Sequence, residues 1–365
     1  MRSHAHLLED PMIEISSFGT AAGGTPVRAY TLTAECAPVS VRVMDFGATI
    51  LGITCPDAHG DVADIVLGFD ALEGYFDNPA CYGATIGPVA NRTAGASLDI
   101  AGETWHLTAN EGENNLHTDL AHGLHKRVWD AAVDEGANRV TFTCRLASGE
   151  LGLPGERTIT ATYTLDADGA LTLTYRVETD RPTYANITNH TYFNLAGHAA
   201  GSVRDQQVTV HAVRYLPVRE DSVSEGEIAP VEGTPFDLSA GVALGSGLDA
   251  DDVQIERGHG YDHCLCIFGF EPGAAPRPAL DAVDPASGRT LSISITHPGA
   301  HLYTGNWLGD GPALTKDGAT YGPHAGFAFE PEYYPDAVHH PAWPQPVCTP
   351  DHPYEESIVY RFGIA

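Results

Sequence analysis

The sequence is short of positive charge and has no long apolar run. Its 365 residues contain 19 Lys+Arg against 48 Asp+Glu, a formal net charge of -29. Such a field repels nucleic acid and anionic membranes but scarcely acts on a neutral ligand. No stretch of about 18 apolar residues occurs, and the first residues lack the apolar centre of an export signal. We therefore expect no nucleic-acid partner, no membrane span and no export.

The cysteines are too few and too scattered to indicate a disulfide framework. There are seven of them, an odd number, and none forms a Cys-x-x-Cys pair. This pattern indicates neither a set of disulfides nor a thiolate zinc site. It is typical of a protein that stays in the reducing cytoplasm.

Helical periodicity is weak, and short alternating runs dominate the chain. Between residues 158 and 177, apolar positions alternate with mostly threonine on either side of Asp166-Ala-Asp-Gly169, which is a turn signal. This pattern predicts an antiparallel hairpin with one wet face. The chain also has 39 Gly and 25 Pro to mark turns, and no low-complexity linker. The most economical architecture is an all-β one, a large antiparallel β-sandwich with few short helices.

Two titratable residues stand out as candidates for catalysis. His190 lies among aromatic and amide residues in Asn189-His-Thr-Tyr-Phe-Asn-Leu195. Imidazole titrates near neutrality and can move protons, although a hydrogen-bonded core histidine is the simpler interpretation of any single one. Glu330 follows an apolar, strand-like run and should be partly buried. A buried carboxylate is costly without a partner, so we consider Glu330 a candidate base.

Two further stretches carry polar groups that suit a ligand. Arg92, preceded by Asn91 in a Gly-rich loop, can aim a fork of donors at ligand oxygens, and an arginine that ties the loop down is equally consistent. His117 is followed in the same loop by His122 and His125. Their spacings match no helical metal site, so we expect no metal, with His117 facing a ligand and the other two exposed.

Asp262 and a glycine pair complete the set of candidate motifs. In Gly260-Tyr-Asp-His263, Asp262 can accept hydrogen bonds from the hydroxyls of a polyol, although an Asp in a turn is more often a cap. Gly245-Ser-Gly247 fits the loose form of a dinucleotide fingerprint, but the segment after it is too polar for the required crossover helix. We expect no nucleotide cofactor.

Taken together, these stretches resemble the aldose 1-epimerase (galactose mutarotase) family. The matching motifs are Ala90-Asn91-Arg92, Leu116-His117, Gly152-Leu-Pro-Gly155, Asn189-His-Thr-Tyr-Phe-Asn-Leu195, Gly233-Thr-Pro-Phe-Asp237, Tyr303-Thr-Gly-Asn306 and Pro335-Asp336-Ala337. The resemblance implies a single domain of the galactose mutarotase-like supersandwich type over residues 25–365, after an N-terminal extension, 1–24, with flexible first residues. It also implies interconversion of the α and β anomers of free hexoses such as galactose and glucose, without a cofactor.

Carried over by position, the resemblance implies catalytic roles for three residues. Glu330 is expected to be the general base, His190 the general acid and His117 a second active-site histidine. We expect Glu330 to begin ionised and a nearby carboxylate to raise the pKa of His190. After His117 this chain has Thr118 and Asp119 where the family usually has two glycines.

The resemblance also implies a set of sugar contacts. Asn91 and Arg92 are expected to orient the ligand, and Asp262 to hold sugar hydroxyls. His301 stands where a sugar-contacting Gln is common, and Glu332 stands where the family usually has Gln after its catalytic Glu. The expected partner is an aldose, and the expected assembly is a monomer or homodimer.

Two other functions are also consistent with these residues. A glycoside hydrolase or lyase would use Glu330 and Asp262 as its two carboxylates. A sugar-binding module without catalytic activity would use the same pocket. A sugar-phosphate epimerase is less consistent, because no basic cluster is evident near these residues to hold a phosphate.

Overall fold

The computed structural model describes residues 12–365. The expected flexibility of the first residues, and the expectation of no export signal there, fall on residues outside this range. The division into an extension of residues 1–24 and a domain of residues 25–365 stays a prediction. Within the predicted extension, the strand Ile13–Thr20 pairs with Pro26–Thr33.

Short strands make up most of the chain. Up to residue 116 they are Ile13–Thr20 (β1), Pro26–Thr33 (β2), Ser40–Met44 (β3), Thr49–Pro56 (β4), Val62–Asp64 (β5), Ala84–Ile86 (β6), Arg92–Thr93 (β7), Ser97–Ile100 (β8), Glu103–His106 (β9) and Asn115–Leu116 (β10). The next ones are Asp130–Asp134 (β11), Arg139–Leu146 (β12), Arg157–Leu165 (β13), Leu171–Thr179 (β14), Thr183–Tyr184 (β15), Thr188–His190 (β16), Tyr192–Phe193 (β17), Gln207–Val210 (β18), Ala212–Tyr215 (β19) and Ala229–Pro230 (β20). The last are Val242–Ala243 (β21), Asp262–Ile267 (β22), Arg277–Val283 (β23), Arg289–Ile295 (β24), Gly299–Tyr303 (β25), Phe327–Glu332 (β26), Val347–Cys348 (β27) and Tyr354–Ile364 (β28).

Helices are few and short. The α-helices in the described part of the chain are Leu72–Asp77 (α1), Leu244–Leu248 (α2) and Val253–Gly258 (α3). Single 3₁₀ turns occur at Ala22–Gly24, Ala94–Ala96, Leu124–Lys126, Glu135–Ala137, Glu150–Gly152, Lys316–Gly318 and Ala337–His339. Within residues 12–365, no helix is long and apolar enough to cross a membrane.

Three antiparallel sheets form the body of the protein. Their strand orders are β1-β2-β3-β4-β5, β11-β12-β13-β14-β28-β24-β23-β18-β21 and β17-β26-β25-β22-β19-β20. There are also small two-stranded sheets, among them β6 with β16 and β7 with β10. The all-β fold with few short helices that the sequence predicts is confirmed.

The predicted hairpin forms the third and fourth strands of the nine-stranded sheet. β13 and β14 pair in register, with Ile159 opposite Val177 and Tyr163 opposite Leu173. Alternate residues of both strands are buried, and the threonines between them are half-buried. The buried face packs into a core that also contains Val41 from the five-stranded sheet. Because each large side chain buried there contributes about 1.5–3 kcal/mol, this core holds the sheets that carry the site in fixed positions.

Candidate active site

One cavity of about 720 Å³ opens beside the six-stranded sheet. This volume lies within the range of small-molecule sites. The residues that the sequence predicts for the site all line it: Asn91, Arg92, His117, His190, Asp262, His301 and Glu330. The fold therefore brings the predicted residues together, and their individual roles stay a prediction.

Glu330 and His190 meet at the inner wall of this cavity. Glu330 lies on β26, whose residues are all buried, and His190 ends β16. The Nε2 atom of His190 lies 3.4 Å from Oε1 of Glu330. Oε2 of Glu330 has no hydrogen-bond partner, although it is buried. One oxygen of this carboxylate is thus left without a protein donor.

Burial sets the acid–base properties of this pair. It lowers the pKa of His190 to about 4. It raises the pKa of Glu330 well above the usual value for glutamate, and the nearby Glu332 acts in the same direction. The expected rise in the pKa of His190 is therefore wrong: Asp262 does act to raise it, but removal from water outweighs that attraction.

Aromatic rings hold the imidazole of His190 in place. Its ring centroid lies 5.0 Å from that of Tyr192 and 6.4 Å from that of Tyr303. The ring of His117 lies 5.6 Å away in an edge-on arrangement. The backbone carbonyl of His190 accepts a hydrogen bond from the amide of Gly83 at 3.0 Å. Both the ring and the backbone of His190 are consequently restrained.

His117 is positioned by an unusual stretch of backbone. His117 and Thr118 both have positive φ, 56° and 66°. That conformation is strained for a β-branched residue such as Thr118. The Thr118 hydroxyl offsets the strain by accepting from the amide of Val89 at 2.8 Å and donating to its carbonyl at 2.9 Å. Nδ1 of His117 accepts from the amide of Asn91 at 3.1 Å, so a neutral ring carries its proton on Nε2.

Arg92 is held at the cavity wall by a carboxylate. Its Nε and NH2 atoms donate to the two oxygens of Glu111 at 2.6 and 2.9 Å. NH1 lies 3.9 Å from Oδ2 of Asp262. The guanidinium therefore both ties down its loop and faces the cavity, so the two interpretations of Arg92 are compatible.

Asp262 remains ionised although it is mostly buried. Burial alone raises the pKa of Asp262, but His301 and Arg92 outweigh it and hold that pKa below its usual value. His301 donates from Nε2 to Oδ1 of Asp262 at 2.7 Å. The side-chain amide of Asn91 lies 3.0 Å from the other ring nitrogen of His301. Asp262 is thus a fixed, negatively charged acceptor at the cavity wall.

Three of these residues have a donor set that suits a metal ion. One ligand atom each from His117, His190 and Glu330 lies within 4.8 Å of the others. Two imidazoles and a carboxylate are common ligands of zinc. Coordination would occupy the same atoms that proton transfer requires. The expectation of a metal-free site stays a prediction.

The other two histidines of the loop differ from each other. The side chain of His122 is 77% exposed, as the sequence predicts. His125 is buried, so the prediction that it is exposed is wrong. It lies in the 3₁₀ turn Leu124–Lys126, and neither of its ring nitrogens makes a hydrogen bond. Burial, followed by the charge of Lys126, lowers the pKa of His125 to about 3.

We expect His125→Phe to weaken the acid sensitivity of the fold. The unfolded chain binds a proton on His125 below pH ~6.5, whereas the folded chain binds it only near pH 3, so stability is lost as pH falls through the unfolded value. Between about pH 7 and 5 the wild type should lose roughly 2 kcal/mol more of its free energy of unfolding than the variant. Urea unfolding at both pH values measures this, and equal losses in the two proteins would contradict it.

The structure adds cavity residues that the sequence did not single out. Trp307 is 68% exposed and lines the cavity beside Tyr303, with its ring centroid 4.4 Å from that of His259. An exposed aromatic ring at a cavity wall can pack against the apolar face of a ligand. Glu111 also lines it through its pair with Arg92. Trp307 directly follows a motif quoted above, which is a signal that could have found it. Glu111 is one acidic residue among 48 Asp+Glu and carries no such signal.

Comparisons with a family profile and with related sequences all indicate the same protein family. The family profile described as Aldose 1-epimerase matches residues 28–361. The galactose mutarotase of Homo sapiens is 38% identical over 344 residues, covering 94% of this chain and 96% of the relative. The aldose 1-epimerase of Escherichia coli (strain K12) is 35% identical over 344 residues, covering 94% of this chain and 97% of the relative.

Solved structures agree with the fold. The crystal structure of an aldose epimerase homologue from C. elegans superposes with a TM-score of 0.81 at 29% identity, covering 92% of this chain and 99% of that one. The structure of galactose 1-epimerase from Lactobacillus acidophilus superposes with a TM-score of 0.83 at 24% identity, covering 98% of this chain and all of that one. The second likeness supports the fold alone.

Proposed function

Because the chain belongs to the aldose 1-epimerase family, we propose that it opens and recloses the ring of a free aldose with Glu330 as base and His190 as acid. The protein is a mutarotase, an isomerase that interconverts α and β anomers. The family match and its relatives favour this reaction over a glycoside hydrolase or lyase and over a sugar-binding module.

One observation carries the choice of Glu330 and His190 as the reacting pair. Nε2 of His190 and Oε1 of Glu330 lie 3.4 Å apart on the wall of the cavity. O1 and the ring oxygen of an aldose are bonded to the same carbon atom. A base and an acid separated by this distance are therefore spaced to reach both oxygens of one sugar.

The proposed reaction needs one proton on the pair. The lowered pKa of His190 and the raised pKa of Glu330 place that proton on Glu330 at rest, against the expectation that Glu330 begins ionised. The reacting form is the tautomer in which the proton has moved to His190. The Glu330 carboxylate takes the O1 proton, the bond from C1 to the ring oxygen breaks, and the His190 imidazolium gives its Nε2 proton to that oxygen. The product is the open aldehyde, with His190 neutral and Glu330 protonated. Rotation about the C1–C2 bond presents the other carbonyl face. The two residues then exchange roles and close the ring, which restores the starting protonation state.

The remaining cavity residues are proposed to hold the sugar. Asp262 accepts hydrogen bonds from hydroxyls, and NH1 of Arg92 donates to a sugar oxygen. His117, with its proton on Nε2, donates to another hydroxyl, and the amide of Asn91 supports the same wall. Trp307 covers the apolar face of the ring.

The charges of the cavity favour a neutral sugar over a sugar phosphate. Both arginines that line the cavity are already engaged by carboxylates: Arg92 by Glu111, and Arg257 by Glu225 at 2.5 Å. These carboxylates offset the positive charge that a phosphate would need, and the net charge of -29 opposes its approach. We therefore propose free hexoses, with galactose and glucose as the first to test.

The ionisation of the pair predicts a pH profile for kcat/KM. The pair holds a single proton between the pKa of His190, about 4, and the raised pKa of Glu330. Activity should fall near pH 4 as the pair gains a second proton, and fall again at a higher pH, set by the raised pKa of Glu330, as the pair loses its only proton. Polarimetry with α-galactose measures the profile. An acid limb near pH ~6.5, the ordinary value for histidine, would contradict burial as the cause.

The expected setting of the enzyme is also a proposal. We place it in the cytoplasm because its seven cysteines are free thiols, six of them buried, in the described structure. We propose an aldose as its partner, no binding to nucleic acid, and a monomer or homodimer as its assembly. The excess of acidic residues supports the absence of nucleic-acid binding.

A further inference from the structure

Four titratable side chains form a row across three neighbouring strands. In the register of the sheet, His301 on β25 pairs with Cys264 on β22 and with Glu330 on β26. Side chains two positions apart on a strand point to the same face. Asp262 and Glu332 therefore share a face with His301 and Glu330, and His301 lies between the two outer carboxylates.

Both ring nitrogens of His301 face carboxylates. Nε2 lies 2.7 Å from Oδ1 of Asp262, and Nδ1 lies 3.4 Å from Oε1 of Glu332. A ring that donates to two carboxylates must carry both protons. Burial alone lowers the pKa of His301, but its hydrogen bonds to Asp262 and Glu332 outweigh burial and raise that pKa to about 10.

Glu332 lies behind His301 rather than in the cavity wall. Its side chain is fully buried, and Oε2 makes no hydrogen bond. Oε1 contacts only His301 and, at 3.5 Å, the side-chain amide of Asn91 within the described residues. Burial raises the pKa of Glu332 above its usual value despite the opposing effect of His301, so this carboxylate depends on a positive ring beside it to stay charged. Any effect of Glu332 on a ligand must pass through His301.

The side-chain amide of Asn91 competes with Glu332 for Nδ1 of His301. Its Nδ2 atom lies 3.0 Å from Nδ1 of His301, a contact that is a hydrogen bond only if the ring is uncharged. One neutral hydrogen bond contributes about 1 kcal/mol, whereas an unpaired buried carboxylate costs several. The two carboxylates therefore outweigh the amide and favour the charged ring.

We propose that Glu332 is a positioning residue for sugar binding: it holds His301 as an imidazolium, and the imidazolium fixes Asp262 as the acceptor of sugar hydroxyls. The assignment rests on the proposed function, since it takes an aldose as the ligand. Other charged and titratable groups surround His301. They are Glu330 on β26, Arg92 on β7, His117 just after β10 and His190 on β16, with His263 on the opposite face of β22.

The test is the affinity for galactose of Glu332→Gln at two pH values. Without this carboxylate His301 loses a proton at lower pH, and Asp262 then has a neutral donor in place of a charge-assisted one. We expect Kd close to wild type at about pH 6 and about fivefold weaker at about pH 9, while the wild type stays level between them. Isothermal titration calorimetry measures this without relying on turnover.

A matched control is Glu356→Gln. Glu356 is also buried and accepts from the hydroxyl of Tyr333 at 2.8 Å, but it lies outside the cavity. Its variant should bind galactose like the wild type at both pH values. The proposal is overturned if Glu332→Gln binds like the wild type throughout, or if its affinity falls equally at both pH values, which is what a merely structural role would give.

A second measurement needs no folded variant at position 332. Nitrogen-15 NMR of the wild type, labelled at histidine, should show both ring nitrogens of His301 protonated from about pH 6 to 9. The signal is assigned by its loss in His301→Gln. An unprotonated Nδ1 in this range overturns the proposal. Failure of wild-type galactose binding would instead count against the proposed function, because the NMR result stands without it.

Discussion

Glu330→Gln is expected to abolish mutarotation but to leave sugar binding largely intact. Glutamine keeps the shape of glutamate but cannot take the O1 proton, and a positioned base contributes about 10²- to 10⁴-fold to rate. We therefore expect kcat to fall on the order of 10³-fold or more, with Kd for galactose within a few-fold of the wild type. Polarimetry on freshly dissolved α-galactose measures the rate, and calorimetry measures the binding.

The physical setting of Glu330 explains why binding should survive. Its Oε2 atom has no hydrogen-bond partner, and burial disfavours the charge of the carboxylate. Replacing Oε2 with an amide group therefore breaks no hydrogen bond within the protein. Glu356→Gln is again the matched control, because it makes the same change at a buried carboxylate away from the cavity. Wild-type mutarotation by Glu330→Gln would remove Glu330 from the reaction. A loss of binding as large as the loss of rate would assign it to holding the sugar.

His190→Asn is expected to cost about 10²- to 10⁴-fold in kcat. An asparagine can hydrogen-bond to the ring oxygen but cannot give it a proton. The low pKa of His190, about 4, makes its imidazolium a strong acid once it forms beside the Glu330 carboxylate. The same polarimetric assay at saturating galactose measures the loss.

His117→Asn provides the comparison for this prediction. The ring of His117 lies 5.6 Å from that of His190, so both imidazoles are near the reacting atoms. If His190 is the acid, its variant should lose more in kcat, and the His117 variant should lose mainly in KM. A loss under about tenfold for His190→Asn, together with a larger one for His117→Asn, would assign the acid role to His117.

Sequence patterns predicted the strands well because alternation depends on neighbouring residues alone. The hairpin of β13 and β14 follows from threonines that alternate with apolar residues, and the structure has it in the expected place. The residues that the motifs single out also line one cavity. Each motif is a short stretch of consecutive residues, so it can be identified without knowledge of the fold.

The sequence could not give the environment of those residues. Asn91 and His301 are 210 positions apart, yet they contact each other. The pKa of His190 depends on burial by such distant neighbours, and so the expected direction of its shift was wrong. The prediction that His125 is exposed was wrong for the same reason, because its loop is covered only by residues that the packed fold brings over it.

The most direct test compares α-galactose with methyl α-galactoside in the presence of the wild-type protein. The methyl glycoside has no O1 proton for Glu330 to take. The proposed mechanism predicts that the optical rotation of α-galactose reaches equilibrium at a rate proportional to enzyme concentration, while that of the glycoside stays constant. Decay of α-galactose at the buffer rate, or release of galactose from the glycoside, would contradict it.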